Sequence, residues 1–141
     1  MPNRKTHERV GMVTGMVAAS VFVPEQPGWY SAASILGGLL GGKGGGLLPD
    51  RLDLPTSPNH RGPAHGVLPV GTVLKALGQG YLSLFTQLVE LAELEPADRN
   101  GSINWDKVLY LFLAGLMAGF AAGYGSHLLL DLGTPMGLPA W

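Results

Sequence analysis

Glycine recurs at four-residue spacing in three apolar segments of this 141-residue chain. Residues four apart lie on one face of a helix, so each set predicts a stripe of small residues along a helix. Such stripes let two helix backbones approach closely, as they do when helices associate in lipid. The stripes are Gly11-Gly15-Ala19, Gly38-Gly42-Gly46 and Gly115-Gly119-Gly123.

The middle segment also has a competing interpretation. Seven glycines lie between Gly37 and Gly46, and each glycine costs about 1 kcal/mol of helix propensity. A flexible loop at 37–46 is therefore the alternative to a closely packed helix. All three stripes run toward residues that can bind metal, which are His7, Asp50, His127 and Asp131.

Four apolar stretches, at 10–23, 31–49, 67–92 and 108–132, alternate with polar or proline-rich segments. Because alternating β-branched runs are scarce, the stretches predict an all-α fold. We expect a single domain over 1–141, folded as a glycine-rich antiparallel bundle of about four helices. A ligand-bearing loop would join helices two and three, and Asn100-Gly101 would lie in a charged loop rather than a hairpin.

Proline, glycine and polar residues predict several helix ends. Pro24 closes the first helix, and Pro49 ends the second, because proline cannot continue a helix. Asn104 or Ser102 caps the start of the last helix, and Gly133 marks its end. The last helix is therefore the one with the most sharply predicted limits.

The last apolar stretch is also the candidate for a membrane span. Val108–Leu130 carries no formal charge, and as a helix it would be about 34 Å long, enough to cross a bilayer. The other stretches are less apolar, since the second contains Lys43 and the third Lys75. We expect one span with three helices packed against it; a soluble bundle is the alternative, because the mean hydropathy is only +0.23.

Charge and cysteine content restrict the possible partners and metals. Hydrophobic residues make up 46% of the chain and charged residues 13%, which argues against disorder. The net charge of −1 gives no general attraction to nucleic acid, which is expected only as a substrate. Because the chain has no cysteine, a metal would be held by histidine and carboxylate ligands.

The histidines and a subset of the carboxylates are predicted to converge. His127 and Asp131 are four residues apart, so on a helix they can bind one metal ion. A histidine at a helix end is more often an ordinary core or dipole-facing residue unless other ligands converge on it. In an up-down-up-down bundle, the start of helix one and the end of helix four meet the loop between helices two and three. That end would hold His7, Asp50, Asp53, His60, His65, His127 and Asp131. This ligand set suits one to three ions of Zn²⁺, Mn²⁺ or Fe²⁺, and we favour Zn²⁺.

The segment 47–66 between helices two and three is rich in histidine, aspartate, arginine and proline, which is typical of a functional loop. Arg61 can bind a phosphate or another oxyanion through its fork of donors, or it can pair with a nearby aspartate. Asp53 can act at the site directly, or it can orient a histidine. Arg61 and Asp53 are therefore the candidate catalytic residues.

Three motifs resemble one family, the LexA-regulated, membrane-bound metal-dependent hydrolases, also called YdjM-like inner-membrane proteins. The motifs are L-L-P-D at 47–50, H-R-G-x-x-H at 60–65 and G-x-x-S-H-L-L-L-D-x-x-T-P-x-G at 123–137. The resemblance implies a helical inner-membrane protein with a ligand pattern similar to zinc-dependent phospholipase C and single-strand-specific nucleases. It implies the metal ligands His7, Asp50, His65, His127 and Asp131, with His60 and Arg61 beside them.

The resulting hypothesis is a membrane-bound hydrolase that acts on a small phosphoester or a phospholipid through a metal-activated water. The alternative is a non-catalytic structural or assembly protein in which the His/Asp site binds metal for stability. Ala64 and Gly66 favour the alternative, because the family often has threonine and serine there. Lysine and arginine are more frequent at the predicted ligand end, which would place that end in the cytoplasm.

Overall fold

The computed structural model describes residues 3–52 and 67–133. Within these ranges the chain forms four helices: α1 (Arg4–Phe22), α2 (Trp29–Leu52), α3 (Val67–Leu94) and α4 (Trp105–Leu132). Two short strands, β1 (Asp98–Arg99) and β2 (Ser102–Ile103), lie between α3 and α4. The predicted all-α bundle is confirmed.

Several helix ends lie where the sequence predicts them. α1 ends two residues before Pro24. Asn104 is the N-cap of α4, and its side-chain oxygen accepts hydrogen bonds from the amides of Asp106 and Lys107 at 3.1 and 3.3 Å. Gly133 is the C-cap of the same helix. The Asn104 cap satisfies amide groups that a helix leaves without partners at its first turn, and the Gly133 N–H donates to a carbonyl oxygen of the last turn.

The predicted end of α2 at Pro49 is wrong. The helix continues to Leu52 with Pro49 inside it. Proline removes the backbone hydrogen bond to the residue four positions earlier and crowds its carbonyl, but this disruption falls in the last turn, where few bonds remain to be lost. The Pro49 side chain is fully buried, so packing in the bundle offsets the local cost.

The loop predicted at Asn100-Gly101 is a minimal hairpin instead. β1 and β2 pair antiparallel, with Asp98 opposite Ile103 and Arg99 opposite Ser102. Asn100 and Gly101 both have positive φ, at 56° and 75°. Asn-Gly adopts this conformation at low cost and so closes a two-residue turn without the alternating flanks that longer strands need.

α1, α2 and α4 pack against one another, and the Gly38-Gly42-Gly46 stripe of α2 packs directly on α1. A Cβ atom added at Gly38 would lie 2.5 Å from the carbonyl oxygen of Gly15, and one added at Gly42 would lie 2.9 Å from the Gly15 Cα. Real Cβ atoms do not approach other atoms this closely, so the contact requires glycine. The prediction of a closely packed helix is confirmed, and the loop alternative for 37–46 is wrong.

The glycine stripe of α4 packs on the same part of α2. A Cβ atom at Gly119 would lie 2.7 Å from the Gly38 Cα, and one at Gly123 would lie 2.8 Å from the Gly42 Cα. A second stripe on α2, which the four-residue pattern of Gly38-Gly42-Gly46 did not require, also faces α4. It consists of Gly37, Gly41 and Gly45, each of which abuts a carbonyl group of Phe112, Leu116 or Phe120. Glycine therefore lines both contacts of α2.

α3 packs mainly against α4, and the apolar core lies at the end of the bundle that carries the hairpin. The core residues come from α2, α3, α4 and the residue that follows α1, and they are Val23, Tyr30, Leu88, Ala92, Leu111 and Ala114. Lys107 is buried beside them and donates a hydrogen bond to the carbonyl oxygen of Glu95 at 2.9 Å. This lysine therefore stabilises the connection between α3 and α4 instead of contributing a charge to the protein surface.

Among the described residues, α4 is the one helix that is both long enough and apolar enough to cross a membrane. Large apolar side chains are nevertheless exposed on the outside of the other helices too. On α1, Val13, Val17 and Val21 form an exposed stripe, each more than half accessible. The side of α1 that meets α2 is lined instead by glycine, so the apolar surface of this helix faces outward.

Candidate metal centre

Three helices bring four candidate ligands to the end of the bundle opposite the hairpin. His7 lies in the first turns of α1, Asp50 in the last turn of α2, and His127 and Asp131 in the last two turns of α4. α1 runs antiparallel to α2 and α4, so its beginning meets their ends. This is the convergence that the up-down connectivity predicts.

The side chains approach one another closely. The Nε2 atom of His127 lies 3.4 Å from Oδ2 of Asp131 and 3.6 Å from Oδ1 of Asp50. The Nε2 atom of His7 lies 3.7 Å from Oδ1 of Asp131. The Asp131 carboxylate therefore faces the Nε2 atoms of both imidazoles, with one oxygen toward each.

The two imidazole rings are stacked. The ring centroids of His7 and His127 are 3.8 Å apart, with an angle of 22° between the ring planes. His7, His127 and Asp131 are 2%, 0% and 1% exposed, whereas the Asp50 side chain is 26% exposed. Three members of the cluster are thus closed off from solvent, and Asp50 is the accessible one.

This donor set fits a divalent cation. Histidine nitrogens and carboxylate oxygens bind Zn²⁺ at about 2.0–2.2 Å, which places ligand atoms around one tetrahedral ion about 3.3 Å apart. One ligand atom from each of His7, His127 and Asp131 lies within 4.8 Å of the others. A buried carboxylate also needs a countercharge, and imidazoles supply one only when protonated. A cation therefore suits the cluster in both geometry and charge.

The remaining predicted site residues cannot be compared with this geometry. Asp53, His60, Arg61 and His65 fall in 53–66, outside the described residues. Their roles as ligands or catalytic groups stay predictions. The site described above therefore consists of four of the eight predicted residues.

Two features of the site end were not anticipated from the sequence. Nδ1 of His127 lies 2.7 Å from the carbonyl oxygen of Gly46. Because every residue has a backbone carbonyl, the sequence does not indicate this contact. Lys43, which interrupts the apolar stretch, pairs with Glu8 at 2.8 Å, and this hydrogen bond lowers the pKa of Glu8 below its usual value of 4.5. In the sequence, the one indication of this ion pair is the position of Lys43 among glycines.

Comparison with known proteins identifies the family. Neither the curated proteins nor the solved structures contain a match to the chain. The family model described as YdjM inner membrane protein matches residues 1–141, which agrees with the resemblance of the loop and α4 motifs. Because the match extends over the full printed sequence and includes all four converging residues, the chain belongs to the YdjM inner membrane protein family.

Proposed function

We propose that the protein is a metal-dependent hydrolase of the inner membrane that acts on a phosphoester. The observation that supports this proposal is the meeting of His7, His127, Asp131 and Asp50, from three helices, in one largely buried cluster. In the proposal these four residues hold a divalent cation, and His60 and His65 complete the ligand set for up to three ions.

A divalent ion held there supplies Lewis-acid chemistry, because it polarises a phosphoryl oxygen and lowers the pKa of a bound water toward about 7. The chain's own residues bind and orient the substrate. Asp50 lies on the accessible side of the cluster, so the phosphoester enters from that side. Arg61 then donates hydrogen bonds to a phosphoryl oxygen, and Asp53 accepts a proton from the attacking water or orients a ligating histidine.

Metal content tests the proposal first. The protein is purified in detergent, and bound zinc is measured in wild type, His127→Ala and Asp131→Asn. Asp106→Asn is the matched control, because it makes the same change at the other end of α4. We expect the control to retain the wild-type metal content and the two site variants to lose most of it. Unchanged zinc in both site variants would overturn the metal site.

Hydrolysis is tested separately on a chromogenic phosphodiester. We expect turnover that is lost in a chelator, restored by Zn²⁺ and absent in Asp131→Asn. A protein that binds zinc through these residues but never hydrolyses the ester, a phospholipid or a nucleotide would refute the enzymatic part of the proposal alone.

The burial of the cluster favours a second candidate, a metal site that only stabilises the fold. Structural zinc sites are closed, and catalytic ones keep an open position; here three of the four groups are almost completely buried. In this candidate, a chelator lowers the melting temperature and there is no turnover to lose. Melting and turnover curves recorded with the same chelator titration distinguish the two functions.

For the orientation in the membrane we propose that the metal centre faces the cytoplasm. Arg4, Lys5, Arg9 and Arg51 are exposed at that end. The other end carries Arg99 and Lys107, and Lys107 is buried and bonded within the fold. Positive charge favours the cytoplasmic side. Since the chain has no cysteine, the variants Lys5→Cys and Asp98→Cys can be labelled individually in spheroplasts with an impermeant maleimide. We expect label on Asp98→Cys only, and the reverse pattern would contradict the orientation.

A further inference from the structure

We propose that Gly46 positions both histidines of the metal centre. Its carbonyl oxygen sets the tautomer and orientation of His127, and its missing side chain allows His7 to reach its place against His127. The effect on metal affinity rests on the proposed function, but the tautomer of His127 is a property of the metal-free protein.

The first part of the proposal follows from hydrogen-bond chemistry. Nδ1 of His127 lies 2.7 Å from the Gly46 carbonyl oxygen, in a fully buried position. A carbonyl oxygen can only accept, so Nδ1 carries the proton. The neutral imidazole then has its lone pair on Nε2, the atom that lies toward Asp131 and Asp50. Histidines that bind metal commonly donate their other N–H to a carbonyl in this way, which fixes the ring and its tautomer.

The second part follows from the space around Gly46. A Cβ atom added there would lie 2.8 Å from the carbonyl oxygen of His7 and 3.2 Å from the Gly11 Cα. An alanine at 46 must therefore push the start of α1 away from α2. Because the His7 ring stacks on His127 at 3.8 Å, that displacement would also separate the two imidazoles.

A neighbouring glycine that does not contact α1 provides the control for this substitution. A Cβ atom at Gly44, two residues earlier in α2, would meet only the Phe120 ring at 3.8 Å, an ordinary contact. Gly44→Ala is therefore a matched control on the same helix. It adds the same methyl group and raises the helix propensity by the same amount, but the added atom contacts neither His7 nor His127.

The most selective perturbation weakens the Gly46 carbonyl without adding an atom beside His7. Incorporation of the α-hydroxy analogue of leucine at Leu47 converts the bond after Gly46 to an ester, whose carbonyl is a poorer acceptor. The same replacement at Leu48 weakens the next carbonyl instead and controls for the loss of one backbone N–H. Gly46→Ala and Gly44→Ala form the second pair of variants.

The readout is the nitrogen-15 spectrum of histidine-labelled, metal-free protein in micelles, at a pH at which the His127 imidazole is neutral. The His127 signals are assigned by their absence in His127→Gln. We expect the Nδ1–H tautomer for wild type, the Leu48 ester and Gly44→Ala, and a mixture of tautomers for the Leu47 ester. Zinc affinity should fall about 10- to 100-fold in the Leu47 ester and in Gly46→Ala, and not in the controls.

Two results would overturn the proposal: a wild-type His127 protonated on Nε2, or a Leu47 ester that leaves both tautomer and zinc affinity at wild-type values. If wild type binds no zinc, the metal site fails, and the tautomer spectra still decide the role of the Gly46 carbonyl. If the second result is accompanied by loss of affinity in Gly46→Ala, Gly46 acts only through packing.

Discussion

Replacement of Gly42 by alanine tests whether the three helices depend on backbone contact. Gly42 lies where α1, α2 and α4 meet. A Cβ atom there would lie 2.9 Å from the carbonyl carbon of Gly11 and 2.9 Å from the Gly15 Cα. Ordinary contacts begin near 3.4 Å, so α1 must move by at least about 0.5 Å, and no flexible side chain is available to move in its place.

The expected effect is the difference between two opposing contributions. Alanine gains about 1 kcal/mol of helix propensity over glycine. Overpacking of a well-packed interior costs about 1–3 kcal/mol, and the upper end applies because backbone atoms collide. We therefore expect Gly42→Ala to lower the free energy of unfolding by about 2 kcal/mol. Gly44→Ala, whose Cβ would make only an ordinary contact with Phe120, should be neutral or stabilising by up to about 1 kcal/mol.

The assay is reversible unfolding in mixed micelles, followed by far-ultraviolet circular dichroism for wild type and both variants. The two substitutions add the same methyl group to the same helix, so their difference isolates the helix contact. If the two variants unfold within about 0.5 kcal/mol of each other, which is the usual limit of such comparisons, or if Gly44→Ala is the less stable one, the packing argument is refuted.

Two further predictions concern polar contacts away from the glycines. Asn104→Ala should destabilise the protein by about 1–2 kcal/mol, because it removes the cap of α4 and the side-chain hydrogen bond to Glu95 at 2.8 Å. Asn104→Asp should also destabilise the protein, because it keeps the cap but places a carboxylate beside that of Glu95. Thermal melts that leave either variant at the wild-type melting temperature would contradict this role. Lys43 lowers the pKa of Glu8, so the pair stabilises the protein above pH 4.5, and this contribution is lost as the pH falls through the lowered pKa. Lys43→Met should therefore reduce the free energy of unfolding slightly at neutral pH and not in strong acid. An equal loss at both pH values would exclude the ion pair as the cause.

Much of the fold could be predicted because its signals are local. The four-residue glycine spacing defines helix faces regardless of tertiary contacts, and Asn104 and Gly133 carry their capping preference with them. Connectivity then brings His7 to the end of α4, because short links between helices force antiparallel neighbours. His127 and Asp131 share a face for the same local reason, their spacing.

The parts that could not be predicted depend on tertiary or backbone context. Pro49 was expected to end α2, but burial of its ring in the bundle offsets the lost hydrogen bond. The second glycine stripe, Gly37-Gly41-Gly45, is explained by the close packing of α4 on α2, which is a tertiary contact. The hydrogen bond between His127 and the Gly46 carbonyl involves a group that every residue has, so the identity of residue 46 gives no sign of it.

The central claim is that His7 and His127 bind the same metal centre together with Asp131. The most direct measurement is the zinc-edge X-ray absorption spectrum of zinc-loaded wild type and His7→Ala. The account predicts a first shell of nitrogen and oxygen at about 2.0–2.2 Å, imidazole scattering in wild type and one imidazole fewer per site in His7→Ala. An identical imidazole contribution in the two proteins at equal zinc content would contradict the claim.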